Sequence, residues 1–142
     1  MVIDIQNLQD KIKIDEQNLK KSAGSILKNM SEEESELSLL FVNDSYIKKL
    51  NMKYRDIDSK TDVLAFSMRE GEGLSKKSPL LGDVVISVET AKREAVKRNR
   101  SVQKEILLYL THGILHLLGY DDENLKERKK MKMKEKDLMG LI

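Results

Sequence analysis

The 142-residue chain contains no cysteine. Disulfides and thiolate metal sites are therefore excluded, and any bound metal ion must use nitrogen or oxygen ligands. No apolar run approaches the length of about eighteen residues that indicates a membrane span, and the N-terminal sequence lacks the basic and apolar regions of a secretion signal. These absences agree with a cytoplasmic protein and give no sign of a membrane partner.

Aromatic residues and net charge are also low. The chain has four tyrosines, two phenylalanines, no tryptophan and a formal net charge of +2. With so few rings to stack on bases, any contact with a nucleic acid is expected to run through the phosphate backbone. Positive charge is concentrated in residues 91–100 and 125–136. These stretches are either the solvent-facing sides of helices or phosphate-binding surfaces.

Apolar periodicity and capping residues predict four strands and five helices. The strands are expected at residues 2–7, 35–42, 62–68 and 80–88, and the helices at 15–28, 43–55, 89–99, 101–118 and 123–138. Asp15, Asn43 and Ser101 are suited to cap helix N-termini, and Gly119 is suited to end a helix in the left-handed conformation.

The length and the order of these elements predict one domain, residues 1–142, of the α+β class. Residues 69–79, which include the only proline, are expected to form a loop that joins two antiparallel strands and is available to RNA. The predicted architecture is a mixed four-stranded sheet packed with about five helices in layers of the α/β type.

The segment THGILHLLGYDD (111–122) carries the only two histidines. On a helix, His112 and His116 lie one turn apart and face the same side, as two imidazole ligands of one ion require. Gly119 turns the chain so that Asp122 can supply a third ligand, with Asp121 as its alternative. The spacing H-x-x-x-H-x-x-G-x-x-D matches the extended zinc-protease motif. The structural alternative is a pair of hydrogen-bonded core histidines.

Position 113 argues against a protease. Zinc proteases with this spacing use a glutamate directly after the first histidine as the general base. This chain has Gly113 at that position. Peptide hydrolysis would lack its base, whereas a metal ion and its water can still attack another electrophile, such as a phosphodiester.

Three motifs, in the right order, resemble the YbeY family of metal-dependent endoribonucleases. HGILHLLGYDD (112–122) resembles the family signature H-G-x-L-H-L-x-G-Y-D-H, LNMKYRDIDSKTDVLAF (50–66) resembles N-x-x-Y-R-x-x-D-x-x-T-D-V-L-[SA]-F, and LGDVVIS (81–87) resembles L-G-D-[IV]-x-[IV]-S. The resemblance implies a bacterial, cytoplasmic enzyme that cuts single-stranded RNA. It also implies a role in maturing the 3′ end of the small-subunit (16S) ribosomal RNA and in ribosome quality control.

The resemblance further implies one zinc ion per chain, which family members hold with three histidines. His112 and His116 match the first two ligands, and Asp122 stands where the family usually has the third. An aspartate can ligate zinc, but its harder oxygen makes manganese and iron alternatives. Arg55 matches the family's functionally important arginine. Arg55 and His112 are therefore predicted as the catalytic residues.

Three further residues are predicted to support the site or bind substrate. Asp83 is expected to accept a hydrogen bond from a ligand histidine, or else to lie at a strand irregularity. Thr61 and Asp62 are expected beside the site, or else to form only a strand-entry turn.

Two other functions stay open at this point. One is a non-catalytic ribosome-associated factor whose site has decayed at Asp122, and the other is a metalloprotease-like hydrolase with the same ligand spacing. Gly113 argues against the hydrolase, and ribosome binding without metal or RNA cleavage would support the non-catalytic factor. In the leading hypothesis, Arg55 binds phosphate or stabilises transition-state charge. Its structural alternative is a surface salt bridge with Asp56 or Asp58.

Overall fold

The computed structural model describes residues 1–69 and 78–142, so most of the predicted loop 69–79 and its proposed RNA contact lie outside the described residues. The element order agrees with the sequence prediction throughout. The elements are β1 Val2–Asn7, α1 Glu16–Asn29, β2 Glu36–Val42, α2 Asp44–Arg55, β3 Val63–Ser67, β4 Leu80–Ser87, α3 Val88–Lys97, α4 Val102–Leu117 and α5 Leu125–Met139. In this part of the chain no helix is both long and apolar enough to cross a membrane.

The helix starts follow from the capping residues seen in the sequence. The side chains of Asp15, Asn43 and Ser101 each accept a hydrogen bond from a backbone N–H in the first turn of α1, α2 and α4. Each bond satisfies a donor that has no partner inside the helix. The predicted caps are confirmed, and with them the start of α4, which carries both histidines.

The four strands form one mixed sheet in the order β1-β2-β4-β3. The first three are parallel, and β3 pairs antiparallel with β4 at the edge, with Ala65 opposite Val84. The predicted antiparallel pairing across the loop is confirmed. Because β3 is an edge strand, one side of its backbone is left without a strand partner, and the candidate site lies along it.

The strands bury side chains on both faces of the sheet. On one face, Leu39, Val84 and Ile86 belong to a large apolar core that includes residues of α1 and α4. On the other face, Leu64 and Val85 pack with Ile47 of α2 in a smaller core. Alternation along each strand therefore decides which residues meet the histidine helix and which meet α2.

Helix α4 approaches the sheet closely at Gly113. A Cβ atom on Gly113 would lie 2.6 Å from Val84 Cγ1 and 3.3 Å from Val63 Cγ2. Both contacts come from β-branched side chains with little rotamer freedom. A glycine is therefore needed here, and the position that carries the general base in zinc proteases has no room for a side chain.

We expect Gly113→Ala to lower the free energy of unfolding of the metal-free protein by about 1–3 kcal/mol, because overpacking outweighs the gain in helix propensity. Urea denaturation measures the change. Gly24→Ala is the matched control, since its Cβ would find its nearest atom, Met1 Sδ, at 3.4 Å. That helix substitution should raise stability by up to about 1 kcal/mol. Equal gains in both variants would contradict the close approach.

Candidate metal centre

The two histidines lie on the last turns of α4 and point to one place. His112 Nε2 and His116 Nε2 are 3.0 Å apart, and both side chains are partly buried. The four-residue spacing puts the two rings on the same face of the helix. The nitrogen atoms that converge are the ones that a single ion would contact.

The end of α4 brings the third residue to this point. Tyr120 N–H donates to Leu115 C=O at 3.0 Å, and Gly119 N–H donates to His116 C=O at 3.0 Å. With Gly119 at φ +98°, this is a Schellman ending, which confirms the predicted left-handed stop. The reversed chain places a carboxylate oxygen of Asp122 so that it and the two histidine ligand atoms all lie within 4.8 Å of one another.

The outer ring nitrogens of both histidines face acceptor atoms. His116 Nδ1 is 3.1 Å from the carbonyl oxygen of Tyr120, and His112 Nδ1 is 3.4 Å from Glu135 Oε1. Since both partners are acceptors, we assign a proton to each Nδ1, which leaves lone pairs on the two Nε2 atoms. Without a metal ion, a proton on one Nε2 can bridge the two nitrogens at 3.0 Å. With both Nε2 atoms deprotonated, the two lone pairs converge on one point, so this donor set fits a metal ion.

The pKa values of the two rings are pushed apart. Burial lowers the pKa of His112, but the hydrogen bond and charge of Glu135 more than offset it, and the pKa is raised overall. Burial lowers the pKa of His116, and the neighbouring His112 lowers it further. The pair therefore resists double protonation, and His116 in particular stays neutral and able to ligate.

Of the two neighbouring carboxylates, Asp121 is already engaged. Its Oδ1 accepts a hydrogen bond from Glu123 N–H at 3.2 Å, as in an Asx turn. Asp122 is exposed. Among the described residues, it is the carboxylate with an oxygen within 4.8 Å of a ligand nitrogen of each histidine. This geometry supports Asp122 over Asp121 as the third ligand.

A cleft of about 540 Å³ surrounds the three ligands and also receives Arg55, the last residue of α2. Arg55 is exposed and makes no salt bridge with any residue that the structure describes. The alternative partner Asp58 lies instead 3.9 Å from Lys48. The arginine is therefore available to a ligand in the cleft.

Thr61 and Asp62 also line the cleft. Asp62 Oδ1 accepts hydrogen bonds from Val63 N–H at 2.8 Å and from the Thr61 hydroxyl at 3.2 Å. The two residues thus form a strand-entry turn and stand beside the metal ligands at the same time. The two predicted alternatives for this pair do not exclude each other.

Asp83 requires a correction, because the structure does not bring it to the histidines. It alternates with Val84, which faces Gly113 of α4, so Asp83 points to the other face of the sheet. There it lines a separate groove with Ser38 and Glu36. Asp83 was expected to face the outer nitrogen of a ligand histidine. The Tyr120 carbonyl and Glu135 take that place instead.

Sequence reasoning missed Glu135. This residue belongs to α5, whose charged sequence gives no sign of which of its two glutamates turns inward. Its side chain is only 13% exposed, and its Oε1 lies 3.4 Å from His112 Nδ1. A separation of more than twenty residues leaves no local spacing from which the contact could have been read.

The basic stretch 91–100 is largely neutralised by acidic partners. Arg93 binds Asp44 at 2.7 Å, and Arg98 and Arg100 lie 3.5 and 3.6 Å from the fully buried Glu105. Burial alone would raise the pKa of Asp44, but hydrogen bonds from Arg93 and two hydroxyls bring it down to about 2. These contacts support the structural interpretation of this stretch over an RNA-binding one.

Two histidines and a carboxylate, held at a helix end under the edge of a mixed sheet, define an α+β protein with a cleft that could hold a metal ion. A profile described as endoribonuclease YbeY matches residues 4–142. The endoribonuclease YbeY of Pelotomaculum thermopropionicum is 44% identical over 100% of this chain and 97% of its own length, and that of Desulforamulus reducens is 41% identical over 98% and 95%. The chain belongs to the YbeY family of endoribonucleases.

A solved structure agrees with this assignment. The solution structure of a Thermotoga maritima protein matches with a TM-score of 0.69 and 30% sequence identity, over 97% of this chain and 87% of that one. The recognition made from three motifs and the predicted α+β fold are both confirmed.

We expect Glu135→Gln to weaken metal binding by about 10- to 100-fold, because the charged acceptor that orients His112 and strengthens its basicity is lost. The same change should lower the pKa of His112 in the metal-free protein. Isothermal titration with Zn²⁺ and NMR titration of the two rings measure the two effects. Asp137→Asn removes the same charge from an exposed position of α5 and should change neither. Equal behaviour of the two variants would rule out this role for Glu135.

Proposed function

We propose that this protein is a single-strand-specific, metal-dependent endoribonuclease that matures the 3′ end of the small-subunit (16S) ribosomal RNA and acts in ribosome quality control. Its partners would be ribosomal RNA and the small ribosomal subunit, and its location the cytoplasm. Residues 1–142 would act as one domain. Family membership supports the reaction, and the cleft supports the assignment of residues.

One observation carries the proposal. Two histidine lone pairs and a carboxylate converge in the same cleft as an arginine that is free to bind phosphate. The combination suits a reaction in which a phosphodiester gains negative charge at phosphorus. Peptide hydrolysis is not favoured, because Gly113 neither supplies a general base nor leaves room for one.

The roles within the cleft follow from these positions. His112, His116 and Asp122 would hold the ion, which supplies Lewis acidity and activation of water when bound. Arg55 would bind the scissile phosphate through its planar guanidinium and stabilise the charge of the transition state. Asp62, with Thr61 hydrogen-bonded to it, presents a carboxylate at the same wall, where it can accept a proton from substrate or water.

Zinc is the proposed metal, with manganese and iron as the alternatives. Asp122 adds a negative charge and a hard oxygen where the family usually has a third imidazole, and such a ligand is shared by all three ions. The exposed position of Asp122 lets it adjust to the coordination distance that each ion needs.

We expect the protein purified without chelator to carry about one divalent ion per chain, as a three-ligand site predicts. Elemental analysis by mass spectrometry identifies and counts it. Asp122→Ala should lose most of this metal, and Asp122→His should keep it with a stronger preference for zinc. Absence of bound metal after incubation with each ion would favour a non-catalytic ribosome-associated factor.

Arg55→Ala should lower cleavage of a single-stranded RNA by about 100- to 1000-fold, the range seen when one preorganised group loses contact with the transition state. Metal content should stay that of the wild type, since Arg55 is not a ligand. Arg128→Ala, an exposed arginine of α5 outside the cleft, is the matched control. Unchanged cleavage by the Arg55 variant would remove this residue from the mechanism.

A further inference from the structure

The surface next to the cleft carries the most exposed aromatic ring of the protein. Tyr54 is 58% exposed, against 39% for Tyr46, and the other aromatic side chains are partly or fully buried. An exposed tyrosine ring offers an apolar surface on which a base can stack. Tyr54 is also the tyrosine of the N-x-x-Y-R motif, directly before Arg55, but only the structure shows that its ring is exposed.

The ring of Tyr54 is held in place from below. Its centroid lies 5.3 Å from that of Phe66, with 61° between the ring planes, in an edge-to-face arrangement. Phe66 itself packs against the smaller core beneath α2. The contact with Phe66 limits the movement of the tyrosine ring, here called the platform, while the residue stays 58% exposed.

The charges around Tyr54 suit a nucleotide. Lys53 Nζ lies over the ring, 5.1 Å from its centroid, and a base stacking on that face would displace this amine toward the phosphate backbone. Arg55, the next residue along the chain, lines the cleft. A stacking ring beside two cations is the pattern with which proteins hold single-stranded nucleic acid. A protein partner would use the exposed Met52 and Ile57 nearby, but it gives no role to the cation over the ring.

The platform and the cleft lie on opposite sides of a single edge strand. Phe66 stands between Ala65 and Ser67 in β3, and both of these neighbours line the cleft. Successive side chains of a strand point to opposite faces, so Tyr54 sits just across β3 from the metal ligands. An RNA chain that crosses this edge can place a phosphate at Arg55 and a base on Tyr54 together.

We propose that Tyr54 is a base-stacking residue that positions a nucleotide flanking the scissile phosphate, with Lys53 beside it to contact the backbone. The inference rests on the proposed RNA substrate and adds a binding subsite to it. It also explains how a chain with few aromatic residues can bind single-stranded RNA, since any base can stack on one exposed ring.

The test measures binding of a short single-stranded RNA to the metal-free protein, together with a set of RNAs that each lack one base. Tyr54→Leu should weaken binding of the intact RNA by about 5- to 150-fold, the range for one stacked base. Tyr54→Phe should retain it, because the ring is kept. Tyr46→Leu, on the same helix and away from the cleft, is the control and should bind as the wild type does.

The RNAs that lack one base distinguish base stacking by Tyr54 from a merely structural role, because a structural role would not make affinity depend on one particular base. The wild type should lose affinity when one particular base is missing, and Tyr54→Leu should bind that RNA no more weakly than the intact one. With metal restored, the variant should raise KM for the intact RNA and leave kcat near the wild-type value. Equal affinity of wild type and Tyr54→Leu for every RNA, or no binding by the wild type, would overturn the proposal.

Failure of the proposed function would look different. An RNA that binds with this base dependence but is left uncut by the metal-loaded wild type would refute the nuclease reaction and retain the subsite. Loss of the base dependence with cleavage intact would refute the subsite alone.

Discussion

The close contact between α4 and the sheet is the constraint on which the site depends. Gly113 lies against Val84 and Val63 with no space for a Cβ atom, so the helix cannot rotate or withdraw without losing the contact. Its neighbour His112 is thereby fixed relative to β3, the strand that forms one wall of the cleft. A packing requirement in the core thus determines where the ligand nitrogen points.

Electrostatic forces then suit this geometry to a metal ion. The Tyr120 carbonyl and Glu135 both accept from the outer nitrogens of the imidazoles, which turns the inner lone pairs toward each other. The Tyr120 carbonyl is available because the Schellman ending of α4 reverses the chain there. One local turn therefore orients one histidine and delivers Asp122, and a distant helix orients the other.

The basic residues fall into two groups: those that form ion pairs within the fold and those that are available to bind a ligand. In residues 91–100, arginines are bound to Asp44 and to the buried Glu105, where they join α2, α3 and the start of α4. At the end of α2, Arg55 lines the cleft and Lys53 lies over the Tyr54 ring. Neither has an acidic partner among the described residues. Net charge alone, which is nearly balanced, conceals this difference.

The sequence by itself determined the order of helices and strands, the capping residues, the facing histidines and the turn at Gly119. Each of these depends on interactions within one or two turns of chain, and the family motifs identified the reaction class from the same residues. Only the tertiary structure decided that Glu135 supports His112, that Asp83 faces away and that Tyr54 stands exposed beside Arg55. These outcomes depend on which strands pair, which face each residue takes and which helix covers that face, and no local spacing encodes such contacts.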